Sequence, residues 1–344
     1  MSQQQGKDPY RSDAQLKRGV GLSGVVMFGA GTAIGVSIFS VLQPAAQVAG
    51  SGLLLAVLIA ALPMVLFAVC YAYLGSALPV SGASYEWPRR FIHPFVGFAI
   101  GWMRIVGNVG ALILLSQVMA NYLSMVYPIP AKPLMAVTLT AVFALNYRGV
   151  AVAAKVQVAL MLLLLLVLAV FVGTGLPVVE AQRIGPLTDM GWLAIFAAVP
   201  LMASLFMGIE SAVEIGEEIQ QPGRNIPLGI TLAILLTAGV YLAVAFVALG
   251  LAGPARLAAS EAPLLEAARV SLGDYAVPLI VGAATISILK TMNATAMVFS
   301  RSLFAMARNQ ALPGALAAVH RHYGTPHRAI GTGYVLAMCG LLLP

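Results

Sequence analysis

Three ionisable side chains lie inside long apolar stretches of this chain: Arg104, Glu210 and Lys290. A charge at the centre of a bilayer costs about 2.5–3.5 kcal/mol on insertion scales, so each such residue must face protein or water and have a partner. Lys290 has three outlets: pairing with Glu210, contact with an acidic group of a bound molecule, or a stem that runs to an aqueous pathway. Arg104 stands about one helical turn before Gly107-Asn108, on a similar face. It either lines a pocket and favours a carboxylated ligand, or pairs with Glu86. A second acidic group, Glu214, Glu217 and Glu218, sits near Arg224. These residues either form a charge network with Arg301 or Arg308 or make a solvated loop end.

Two apolar stretches also carry residues that interrupt helices. In Gly29-Ala30-Gly31-Thr32-Ala33-Ile34-Gly35-Val36-Ser37-Ile38-Phe39, three glycines fall within seven residues, each weakening a helix by about 1 kcal/mol against Ala. Gly31 and Gly35 also form a small-xxx-small face. The segment is therefore either a close helix–helix contact or an unwound mid-membrane stretch whose amides hold an anionic group. The run Ser204-Leu205-Phe206-Met207-Gly208-Ile209-Glu210-Ser211-Ala212 has a glycine at similar depth, followed by a carboxyl. Interruptions in a first and a sixth span are what an inverted repeat of five helices gives.

The elements that position these residues follow from composition. Of 344 residues, 60% are hydrophobic and 9% are charged, against roughly 25% charged in a soluble domain. Too little polar surface exists to cover such a core, which excludes a soluble enzyme, a nucleic-acid module and a disordered chain. An all-α polytopic membrane protein remains, because backbone groups in lipid must be satisfied within their own helix. Nine candidate spans lie near 20–43, 51–78, 95–126, 133–147, 150–176, 190–213, 227–252, 273–300 and 328–344, the last still apolar at Pro344.

Lys and Arg concentrate on one side of these spans: positions 7, 11, 17, 18, 89, 90, 148, 155, 224, 301, 308, 321 and 328, against 132, 183, 256 and 269 on the other. By the positive-inside rule the N-terminus, with its polar tail 1–18, lies in the cytosol of a multi-pass protein of the cytoplasmic membrane. The segment 253–274 then reads as a long external loop, and 309–327 as a basic cytosolic loop. Its histidines, His320, His322 and His327, belong to a solvated loop or to a metal site. Cys70 and Cys339 fall within apolar runs and are expected to serve packing.

Taken in order, these segments make the sequence similar to the amino acid–polyamine–organocation transporter family. The motifs are Ile34-Gly35-Val36-Ser37-Ile38-Phe39, Pro79-Val80-Ser81-Gly82-Ala83-Ser84-Tyr85, Gly101-Trp102, Gly107-Asn108 and Phe206-x-Gly208-Ile209-Glu210-Ser211. Glu217-Glu218, Pro222-Gly223-Arg224-Asn225-Ile226-Pro227 and the run Ser300 to Pro313 complete them.

The resemblance implies a LeuT-like 5+5 inverted repeat with discontinuous spans 1 and 6, alternating access, and an amino acid or related amine as substrate. The first repeat would be 19–176 and the second 177–344, the latter truncated in span 9. The substrate carboxylate would sit on the amides of Gly35, Val36 and Ser37. Its amine would meet carbonyls of Ala33, Ile34, Phe206, Met207 and Gly208, with Ile209 and Asn108 facing the pocket. The resemblance links Glu210 to coupling or gating; the placement of the other charges adds Lys290, Arg104, Glu217 and Glu218 as candidates for the same role. Some proton-coupled members carry a lysine in span 5, where this chain has Leu162 to Leu166; Lys290 would supply the missing cation.

Protons, the lipid bilayer and the small-molecule substrate are the expected partners, for a monomer or homodimer with no nucleic acid, metal or cofactor. An intramembrane enzyme lacks support, because no Gly-x-Ser-x-Gly or His-Glu-x-x-His occurs. A truncated paralogue acting as a membrane scaffold is the other alternative.

Overall fold

The computed structural model describes residues 16–35, 37–124 and 126–342. The first transmembrane stretch begins as α1 (Leu22–Ala33), breaks, and resumes as α2 (Ser37–Ser40); α3 (Leu42–Ala49) opens the second. Then come α4 (Leu53–Ala77), a short α5 (Ala83–Phe91) and α6 (Pro94–Ser124). α7 (Ala131–Tyr147) and α8 (Val150–Gly175) follow. After α9 (Ala181–Ile184), α10 (Gly191–Ser204) ends in a second break. This break continues as tight 3₁₀ segments, Ile209–Glu214 and Gly216–Glu218. The chain closes with α11 (Pro222–Ala259), α12 (Pro263–Leu272), α13 (Ala276–Arg308) and α14 (His327–Gly340).

Seven stretches among the described residues are long and apolar enough to cross a membrane, judged by length and composition. They are Leu22–Ser40, Leu42–Ala77, Pro94–Ser124, Val150–Val178, Gly191–Glu214, Pro222–Ala259 and Pro263–Arg308. Of the nine expected spans, α7 and α14 fall short, with 17 and 14 residues. At 1.5 Å per residue α7 covers about 26 Å, slightly less than the ~30 Å hydrocarbon layer. The expected loop 253–274 is mostly helical: α11 runs on past a kink at Gly253, and α12 follows. The two cysteines are exposed rather than packed. Cys70 lies on the outward face of α4, which also presents Leu62, Leu66 and Phe67.

The core divides into two bodies. One is built from α1 to α4, α8 and α10 to α12. The other is built from α6, α7 and α14. α13 contributes to both, so it lies along the seam between them. Most of its side chains are buried. The end of the bundle that holds α5 also holds Arg89, Arg90, Arg301 and Arg308, and forms a basic end.

Candidate functional site

The two breaks and α13 meet at this seam. In the first, the helix stops at Ile34 (φ −72°, ψ 65°), and the Gly35 N–H turns back onto the Ala33 carbonyl at 2.7 Å. Chain direction is thus reset within two residues, leaving carbonyls at the end of α1 without helical partners. Val36 lies outside the described residues. In the second break Gly208 has φ 107°, a region L side chains rarely adopt. A Cβ there would stand 2.7 Å from the Thr32 side chain. Gly208 therefore permits both the backbone angle and the direct seating of the second break on α1.

Side chains of α11 and α13 bond to these carbonyls, as does Ser37 Oγ, which reaches Ala33 O at 3.5 Å. Tyr241 of α11 donates from Oη to Ala33 O at 2.8 Å, and its ring meets Phe206 edge-on at 6.4 Å. It therefore touches both breaks at once. Lys290 of α13 is fully buried and donates from Nζ to the carbonyls of Gly31 and Ile34. Ser287 Oγ also reaches Ile34 O, at 3.4 Å. The negative end of the α1 dipole explains why an ammonium sits there without a carboxylate. Lys290 does not pair with Glu210: Glu210 Oε2 instead accepts the Gly208 N–H at 2.7 Å.

Four of the expected substrate contacts of the second break are Phe206, Met207, Gly208 and Ile209. Phe206, Met207 and Ile209, with Glu210 and Arg104, line one cavity of about 260 Å³ between α4, α6 and α11. Ala33, Ile34, Gly35 and Ser37 do not line it. Ser37 borders a separate, water-sized space of about 10 Å³ together with Tyr241. Asn108 is half-buried on α6 with its Nδ2 unbonded, and is not among the cavity's lining residues. The Ala33 and Ile34 carbonyls, expected to receive a ligand amine, already accept protein donors in this conformation.

Ion pairs cross the seam toward the basic end. Arg301 forks onto Glu218, with Nη2–Oε1 at 2.8 Å and neither side chain exposed. Arg308 pairs with Glu217 at 2.5 Å. Arg104 pairs with Glu214 at 3.4 Å, and Glu214 also accepts from Ser84 Oγ. The expected Arg104–Glu86 pair does not form, because Glu86 is held by Arg89 at 2.8 Å and by Asn309 at 2.8 Å. Arg224 makes no ion pair among the described residues. His320 and His327 pack edge-on at 5.5 Å, and His320 also meets Tyr147 edge-on and Tyr323 at a tilt.

Tyr241 and the buried amides Asn146, Gln157 and Asn293 escape sequence reasoning. Tyr241 is marked only by a hydroxyl within an apolar run, while Gln157, Asn146 and Asn293 stand near other polar residues (Lys155, Tyr147-Arg148 and Lys290-Thr291) that hide them.

Comparison with known proteins settles what kind of molecule this geometry serves. The family model for amino acid permeases matches residues 24–344. The chain belongs to the amino acid permease family. The permease is 33% identical to an uncharacterized transporter of Mycobacterium tuberculosis (strain ATCC 25618 / H37Rv), over 94% of this chain and 73% of that protein. It is 26% identical to the branched-chain amino acid permease BcaP of Bacillus subtilis, over 96% of this chain and 76% of that protein. To the methylthioribose transporter of Bacillus subtilis it is also 26% identical, over 91% and 72%. Its fold matches that of Mhp1, a nucleobase-cation-symport-1 family transporter solved with bromovinylhydantoin bound. The TM-score is 0.56 at 11% identity, covering 96% of the permease and 74% of that chain. The permease is accordingly a multi-pass membrane transporter with the LeuT-like fold, not an enzyme.

Proposed function

We propose that this permease carries an amino acid or a related amine across the cytoplasmic membrane by alternating access, as a proton-coupled symporter or exchanger. The observation that carries this reading is Lys290. A lone ammonium, out of solvent and bonded only to carbonyls at a helix break, is a cation whose loss or gain changes how α1 and α13 are held together. The substrate amine addresses the same stretch of carbonyls. Substrate and proton then act on shared acceptors, and linkage makes that coupling reciprocal.

The basic end faces the cytosol, with the N-terminus on the same side. The pairs Arg301–Glu218, Arg308–Glu217 and Arg104–Glu214 form the inner gate, closed in this conformation. The breaks belong to two inverted repeats, 19–176 and 177–344. Relatives that bear the names of a branched-chain amino acid permease and a methylthioribose transporter support a small polar substrate.

The test is uptake by proteoliposomes, screened over amino acids and amines with and without a pH gradient. The expected result is accumulation or exchange of at least one amino acid, with a pH dependence that Lys290→Met alters. No uptake or exchange of any of them refutes the transport reading. An unchanged pH dependence in Lys290→Met refutes its coupling role.

A further inference from the structure

Three amide side chains, Asn146 of α7, Gln157 of α8 and Asn293 of α13, are each 1% exposed. Asn146 Nδ2 donates to Asn293 Oδ1 at 3.0 Å, and Asn293 Nδ2 donates to Gln157 Oε1 at 2.9 Å. This chain of amides ends at the first break. Gln157 Nε2 lies 2.8 Å from the place a Cβ on Gly31 would take, and Lys290 Cδ lies 3.8 Å from the same point. The Gly31 carbonyl is one of the two acceptors of Lys290. Gln157 therefore touches both sides of the Lys290 contact, α1 through Gly31 and α13 through Asn293.

A simple helix clamp would use up its polar atoms, but Gln157 Nε2 is buried without an acceptor. Leaving such a donor unmet is costly, and it is retained beside the one glycine whose carbonyl holds Lys290. We propose that Gln157, oriented by Asn293 and Asn146, is a positioning residue for Lys290. It fixes the register of α13 against α1, so that the ammonium stands over the Gly31 and Ile34 carbonyls. The proposal rests on the reading of Lys290 as the coupling group.

No formal charge competes for this role. α1 has no ionisable residue, and α8 has only the exposed Lys155. α6, packed along α13, has Arg104 and Tyr122; α7 has Lys132 and Tyr147 near its ends; α12 has Glu266 and Arg269, and the turn before α13 has Asp274 and Tyr275. The other cations of α13, Arg301 and Arg308, are paired with Glu218 and Glu217. In the second break, Glu210 is held by Gly208 N–H, and Glu214 by Ser84 and Arg104. At the basic end α5 brings Glu86, Arg89 and Arg90, and α14 brings His327 and Arg328. Dipoles, not charges, set the position of Lys290.

The experiment measures the pH profile of uptake of a radiolabelled mixture of the common amino acids, with the full chain in proteoliposomes. Wild type is compared with Gln157→Leu, Gln157→Glu, Lys290→Met and the double variant Gln157→Leu/Lys290→Met. Gln157→Leu moves the alkaline limb of the profile to lower pH, because the ammonium loses its placement. Gln157→Glu moves it to higher pH, because a carboxylate beside an ammonium favours the charged form. Each shift is about half a pH unit or more. In the Lys290→Met background, Gln157→Leu leaves the profile where Lys290→Met alone puts it. A folding defect cannot produce opposite shifts from two substitutions of one residue.

Unmoved profiles in both Gln157 variants, with only yield or melting temperature changed, overturn the proposal in favour of plain helix packing. A Gln157→Leu shift that persists without Lys290 overturns it as well. If Lys290→Met itself keeps the wild-type profile, the coupling reading falls first. If Lys290→Met changes the profile and the Gln157 variants do not, only the positioning role falls.

Discussion

Arg301 and Glu218 meet as a two-pronged pair, Nε–Oε2 at 2.9 Å and Nη2–Oε1 at 2.8 Å, with no solvent on either side chain. Arg301 comes from α13 and Glu218 from the end of the second break, so the pair joins the two bodies of the core across their seam. A buried pair is weak evidence for net stability, but removing one partner leaves a bare charge and costs about 3–5 kcal/mol. Glu218→Gln should therefore lower the melting temperature of detergent-solubilised protein sharply. The double replacement Glu218→Leu/Arg301→Met should lose less than the sum of the singles. Equal and additive losses would mean that the fork does not couple the two bodies.

The cation position itself yields a second expectation. The Lys290 ammonium already occupies the carbonyls of Gly31 and Ile34, so a metal cation has no use for them while the lysine is charged. Replacing sodium by choline in the assay buffer should leave wild-type uptake unchanged. A sodium requirement in the wild type would contradict the assignment of these carbonyls to Lys290.

Gly208 supplies a third. Its φ of 107° and the 2.7 Å approach of a would-be Cβ to Thr32 place two penalties on Gly208→Ala. Backbone strain of about 1–3 kcal/mol adds to a displacement of α1 from the second break. Transport should fall severely and the melting temperature should drop. Gly239→Ala, in mid-helix on α11 with open space around it, should be neutral or slightly stabilising. Comparable damage from both would show that the seating on Thr32 has no special role.

The contrast between Gly208 and Tyr241 shows how far the sequence is readable. Both breaks are legible, because glycine clusters and a carboxyl inside an apolar run violate the rules of an ordinary span. The chain also shows that Lys290 is a buried charge, but not what holds it. Backbone carbonyls are the acceptors, and every residue has one, so no residue type marks them. The same limit explains Arg104, whose partner is Glu214 and not Glu86. Proximity along the chain says nothing about which turn of a broken segment folds beneath α6. Tyr241, Gln157 and Asn293 stay hidden for another reason. Helices such as α8 are apolar around nearly their whole circumference, so no amphipathic stripe tells which side faces protein. A lone polar residue on them then reads equally well as an interface or a lipid-edge position.

Tyr241 allows the most local test of the site. Its hydroxyl donates to the Ala33 carbonyl at 2.8 Å, and its ring packs on Phe206. Tyr241→Phe removes the first contact and keeps the second, while Ala33 O retains the Gly35 N–H as a donor. The stability cost should therefore be small, about 1 kcal/mol. Tyr241→Ala also removes the ring and leaves a cavity, at about 3–5 kcal/mol. Transport should separate from stability. If the hydroxyl holds the end of α1 where the substrate amine must approach, Tyr241→Phe raises the concentration for half-maximal uptake several-fold with little change in melting temperature. If instead Tyr241 acts only through its ring, Tyr241→Phe transports like the wild type and Tyr241→Ala alone is impaired. Uptake kinetics and melting curves on the same purified samples distinguish these outcomes.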